Sequence, residues 1–85
     1  MYYLYILKSS KDQRLYIGYT SNLELRYKEH CEGLVKSTKN RRPLELIYYE
    51  AYKQEKDAQN REKYLKGGGK AHNNLKEQIK NSMGA

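Results

Sequence analysis

The sequence predicts a small α+β domain, and three observations carry that expectation. Strand-like apolar runs occur at Tyr2 to Leu7 and Leu44 to Tyr52. A polar turn at Ser9 to Gln13 would fold Arg14 to Thr20 back onto the first run as a hairpin. Helix-forming segments begin near Asn22, Gln54 and Asn73. At 85 residues the chain is expected to form one domain over residues 1–85, with a core over about 2–66 and a last helix at about 73–82.

Tyr2 to Leu7 is aromatic or aliphatic at every position, which suits a central strand covered on both faces. Setting Tyr5 directly opposite Tyr16 centres the hairpin turn near Ser10 and Lys11 and puts both phenols on one face. Gly18 has no side chain to pack, so it marks either a bulge or a close approach by a ligand or another backbone. Ser21 with Glu24 has the spacing of a capping box, so a helix is expected from Asn22 to Cys31, stopped by Gly33. Leu23 and Tyr27 would face the sheet. Arg26 and His30, also four apart, share the adjacent face and can reach a common ligand.

Lys36 to Arg42 contains no apolar residue and reads as an exposed loop carrying Lys36, Lys39, Arg41 and Arg42. It is either a solvated connector or a set of contacts to nucleic-acid phosphates. In the third strand, Leu46, Tyr48 and Tyr52 are expected on one face, with Ile47, Tyr49 and Ala51 on the other. Gln54 to Lys66 is a helix stopped by Gly67-Gly68-Gly69, and Ala58, Glu62 and Leu65 form its inward stripe. Glu62 thus takes a place normally held by a hydrophobe, either as a site carboxylate or in an ion pair with a cation such as Arg26. Asn73 and Asn74 would cap the last helix, in which Leu75, Ile79 and Met83 share a face.

Seventeen Lys and Arg against ten Asp and Glu give a net charge of +7, which points to a polyanionic partner, nucleic acid first. All ten aromatics are tyrosines, so the core is expected to be lined with phenols. The single Cys31 excludes an internal disulfide and a cysteine-based zinc cluster, which fits a reducing, cytoplasmic setting. No apolar run reaches the roughly 20 residues of a spanning helix, and a strand pattern stands where a charged leader would. Neither export nor membrane insertion is expected.

Phosphodiester cleavage needs activated water and cations against the phosphate oxygens. Glu62 suits one hard divalent ion, Mg2+ or Mn2+, and Arg26 offers a planar fork to two phosphate oxygens. Tyr5 or Tyr16 could accept a proton from water, or His30 could fill that role. Other chemistries fit worse. Gly67-Gly68-Gly69-Lys70 follows a helix rather than a strand, unlike a Walker loop, and Asp12 and Asp57 sit in polar contexts unsuited to a Ser/His/Asp triad.

Over Tyr2 to Leu65 the chain resembles the GIY-YIG nuclease superfamily, in its small stand-alone bacterial branch. Tyr16-Ile17-Gly18 is an intact second triplet, and Tyr3-Leu4-Tyr5 keeps the final tyrosine of the first. Arg26 follows Tyr16 by ten residues, then come His30 and the later Glu62. The resemblance implies a three-stranded antiparallel sheet flanked by helices and a metal-dependent endonuclease, with DNA favoured over RNA as partner. It further implies that Glu62 holds the metal, that Arg26 stabilises the phosphate, and that Tyr5, Tyr16 and His30 handle the proton. Asn74 matches a distal asparagine of some members, and Tyr19 stands where some carry lysine. The alternative from another class is a nucleic-acid-binding module that keeps the fold without turnover. A third reading is a structural protein acting through partners.

Overall fold

The computed structural model describes residues 1–84. Its elements run β1 (Tyr2–Ser9), β2 (Leu15–Thr20), α1 (Leu23–Cys31), a 3-10 turn (Lys39–Arg41), β3 (Leu44–Tyr52), α2 (Glu55–Gly67), α3 (Gly69–Gln78) and α4 (Lys80–Gly84). The three strands form an antiparallel sheet in the order β2-β1-β3, flanked by the helices. The apolar run of β1 is central as expected, with Leu4, Tyr5, Ile6 and Leu7 all buried.

Alternation along β1 builds two cores. Leu4 and Ile6 join Ile17 and pack against Leu65 of α2, Ala71 and Leu75 of α3, and Ile79. Tyr5 and Leu7 join Leu44 on the other face, where Tyr16, Leu46 and the Leu23 and Tyr27 stripe of α1 pack against them. Each fully buried aliphatic side chain contributes about 1.5–3 kcal/mol by leaving water, so the central strand anchors both layers.

The hairpin register differs from the expected one. Tyr5 pairs with Gly18, and Leu7 pairs with Tyr16. The cause is a longer turn, closed by the buried Ser9, whose Oγ accepts from Lys11 N at 3.1 Å and Asp12 N at 3.3 Å. Gln13 adopts φ 62 to complete it. Because the slip is two residues, Tyr5 and Tyr16 still share a face, with ring centroids 6.3 Å apart.

The expected alternation of β3 is broken by an irregularity where Ile6 pairs with Tyr48 and Leu7 with Leu46. Leu46 therefore turns to the Tyr5 face, while Ile47, Tyr48 and Tyr52 pack on the Leu4 face. On that second face Glu50 accepts hydrogen bonds from Tyr48 and Tyr52, each at 2.5 Å, and from Arg61 of α2 at 3.0 and 3.2 Å. Burial pushes Glu50 up, but the phenols and Arg61 outweigh it and hold the carboxyl below its usual range.

Helix boundaries shift where a better cap is available. Asn22 rather than Ser21 caps α1, its Oδ1 accepting from Leu25 N at 3.1 Å. Gly33 ends the helix at φ +78, the left-handed conformation expected of a stop glycine. The glycines do break the chain after α2, but α3 starts at Gly69, so Asn73 and Asn74 lie inside it rather than capping it. That start lets Ala71 pack beside Leu75 and Ile79, which a helix begun at Asn73 would leave out. Met83 packs on the same core from α4.

Candidate active site

Gly18 and Tyr5 face each other across the β1–β2 pair, and this contact explains the glycine. A Cβ on Gly18 would sit 2.6 Å from the Tyr5 hydroxyl and 2.8 Å from its Cζ. The strand keeps its register at Gly18; the missing side chain is the space into which the phenol lies.

The Tyr5 hydroxyl meets His30 Nε2 at 2.8 Å, and His30 Nδ1 meets Thr38 Oγ1 at 2.7 Å. Tyr5 is 1% exposed, and His30 and Thr38 are fully buried. Tyr16 closes the group, its ring 5.1 Å from the imidazole centroid. Arg26, one turn before His30 on α1, pairs with Glu29 at 3.2 Å, and its charge acts on the Tyr5 phenol. Burial pushes the Tyr5 phenol up to about 12, with Arg26 pulling it down and Tyr16 and Glu62 adding to the rise. Burial, and after it the Arg26 charge, hold His30 down at about 4, so the imidazole is neutral at pH 7.

Glu62 lies on α2 with its side chain 19% exposed, and its charge acts on the Tyr5 phenol. Its partner is Lys66 at 3.5 Å, one turn on, while Arg26 pairs with Glu29 instead. Lys66 Nζ also lies 5.7 Å from the Tyr16 ring centroid. Sequence reading missed Lys66, although its spacing of four from Glu62 was visible. Among the described residues no three His, Cys, Asp or Glu side chains converge as a metal cage. A lone carboxylate still fits a Mg2+-type ion, which takes one or two protein carboxylates and completes its shell with water and phosphate oxygens.

The remaining expected residues divide. Lys36, Lys39 and Arg42 are exposed at the loop, Arg42 lying against Gly33 and donating from Nε to Lys39 O at 2.9 Å. Arg41 is instead tied to Asp12 at 3.0 Å, and its carbonyl accepts from Ser9 Oγ at 2.5 Å, which fastens the loop to the hairpin turn. The loop is thus less open than its composition suggests, since Thr38 in its middle is fully buried. Tyr19 falls on the face opposite Gly18, paired with Leu4. Asn74 is exposed in a groove with Lys63, Tyr64 and Lys70, which includes none of Tyr5, Arg26, His30 or Glu62. No described helix is long and apolar enough to cross a membrane.

The model of the GIY-YIG catalytic domain matches residues 1–77. The chain is 48% identical over 67 residues to a UPF0213 protein of Clostridium perfringens, covering 78% of this chain and 71% of that protein. A UPF0213 protein of Pediococcus pentosaceus is 39% identical, with 88% of this chain and 92% of that protein covered. The solution NMR structure of the UPF0213 protein BH0048 from Bacillus halodurans superposes with a TM-score of 0.57 at 31% identity, covering 88% of this chain and 82% of that one.

Proposed function

Because the chain belongs to the GIY-YIG catalytic domain family, we propose that it is a divalent-metal-dependent endonuclease hydrolysing phosphodiester bonds, with DNA as its substrate. The observation that carries this reading is the buried Tyr5 hydroxyl hydrogen-bonded to His30 at 2.8 Å, with the Arg26 and Glu62 charges acting on the same phenol.

Arg26 is charged at all relevant pH values, and its fork suits two oxygens of the scissile phosphate. Tyr5 handles the proton of the attacking water, since its hydroxyl is hydrogen-bonded to a neutral His30 that can accept. Tyr16 lies against His30 and supplies a ring for the Lys66 ammonium, and Lys66 adds a second cation near the phosphate. Glu62 would hold one Mg2+ or Mn2+. When bound, that ion supplies positive charge against the phosphate and a water of lowered pKa. Lys36, Lys39 and Arg42 contact backbone phosphates on either side of the cut, without reading sequence. Arg41 keeps their loop in place. The reaction belongs in the cytoplasm, where nucleic acid and free Mg2+ are available.

One observation favours a second reading, a nucleic-acid-binding module without turnover: Glu62 is occupied by the Lys66 ammonium. Nicking of a supercoiled plasmid in Mg2+ or Mn2+ separates the two. The nuclease reading expects wild-type nicking, with Glu62→Ala and Arg26→Ala each slower by about a hundredfold or more. Salt-sensitive binding without cleavage in either metal would favour the binding module instead.

A further inference from the structure

The hydroxyl buried within the basic loop has no role in phosphate contact, yet it lies against the imidazole. We propose that Thr38 is a positioning residue that fixes His30 in the Nδ1–H tautomer, so that Nε2 takes the Tyr5 hydroxyl proton and the Tyr5 oxygen meets water as an acceptor. The tautomer is argued from hydrogen bonds alone; its catalytic consequence rests on the nuclease reading.

The Val35 carbonyl can only accept, and the Thr38 hydroxyl donates its single hydrogen to it at 3.5 Å. Thr38 Oγ1 can then only accept from His30 Nδ1, 2.7 Å away, so Nδ1 carries the imidazole hydrogen. A neutral imidazole protonated at Nδ1 has a bare Nε2, which accepts the Tyr5 hydroxyl hydrogen at 2.8 Å. The opposite direction would take the Thr38 hydrogen away from the Val35 carbonyl. Only the first arrangement satisfies every group in this fully buried chain.

In the reaction, water gives a proton to the Tyr5 oxygen as the Tyr5 proton moves to His30 Nε2. The water oxygen forms the new bond to phosphorus, and the leaving oxygen departs with the pair from the broken P–O bond and takes a proton from solvent. His30 becomes an imidazolium with Nδ1–H still held by Thr38, and Tyr5 remains a neutral phenol throughout. No phenolate is required, which matters for a phenol buried as deeply as Tyr5. A phosphodiester anion against Arg26 offsets the guanidinium charge that disfavours imidazolium, so His30 becomes a better acceptor when substrate is bound.

The test is nitrogen NMR of the imidazole at pH 7 in protein lacking His72, the only other histidine. Wild type, Thr38→Ser and Thr38→Val are compared, alongside plasmid nicking and DNA binding. We expect a protonated Nδ1 and a bare Nε2 in wild type and Thr38→Ser, and loss of that preference in Thr38→Val. Thr38→Val should nick about tenfold slower or worse with unchanged DNA binding, and Thr38→Ser should stay within about threefold of wild type. A wild-type imidazole protonated at Nε2, or a Thr38→Val protein that keeps both the Nδ1–H tautomer and full nicking, overturns the proposal. Protein that cuts nothing yet shows the Thr38-dependent tautomer upholds the positioning role and refutes only the nuclease reading.

Discussion

Replacing Gly18 by alanine tests the geometry of the site through stability as well as activity. The new Cβ would stand 2.6 Å from the Tyr5 hydroxyl, whereas an ordinary carbon–oxygen contact is about 3.3 Å, so something must give by about 0.7 Å. The Tyr5 ring has little room, being 1% exposed with Tyr16 and His30 against it. Overpacking of this kind costs about 1–3 kcal/mol. If the shift pulls Tyr5 from His30, the lost buried hydrogen bond adds about 1 kcal/mol. For a domain of this size the expected total of about 2–4 kcal/mol lowers Tm by about 10–20 °C. Gly67→Ala is the matched control, because its Cβ would meet nothing within 4 Å and it lies within α2. That variant should be neutral or gain up to about 1 kcal/mol. Urea unfolding of both variants provides the comparison. A Gly18→Ala protein as stable as wild type, with Tyr5 and His30 still hydrogen-bonded by NMR, would refute the claim that the glycine makes room for the phenol.

Further expectations concern buried charge. His30 has a folded pKa of about 4 against 6.5 for the free group, so the unfolded chain binds a proton that the folded chain refuses. Stability is complete above pH 6.5 and declines as pH falls toward 4, by at most about 3 kcal/mol. His30→Gln should lack this decline; an equally steep loss in the variant would show that other groups cause it. Glu50 has a depressed folded pKa, so its contribution is present above its unfolded value of about 4.3 and is lost as pH falls below that. Glu50→Ala, which strands two phenols and Arg61, should cost about 2–3 kcal/mol at pH 7 by chemical denaturation. A loss under 0.5 kcal/mol, within the range of ordinary surface substitutions, would contradict the role given to this cluster.

The sequence made the parts of this molecule legible wherever one local pattern was enough. The unbroken apolar run of β1 announced a strand covered on both faces, and the i, i+4 spacing put Arg26 and His30 on one face of α1. What it could not show were choices made by competition between neighbours. Ser21 and Asn22 both cap helices, and the one whose side-chain oxygen reached Leu25 N won. The hairpin register depended on Ser9 closing a longer turn, and the β3 faces on one irregularity opposite Ile6 and Leu7. Thr38 was hidden because a lone threonine among cations carries no periodic signal. Only the fold of the loop against α1 brings its hydroxyl to His30.

The most direct measurement is single-turnover cleavage of a labelled DNA duplex across a Mg2+ titration, comparing wild type with Glu62→Gln. The substitution keeps size and polarity while removing the charge that holds a divalent ion. Wild type should cut the strand in a Mg2+-dependent way and the variant should lose about a hundredfold or more, with circular dichroism and DNA binding unchanged. Wild-type cutting that persists in Glu62→Gln with the same Mg2+ dependence would contradict this expectation.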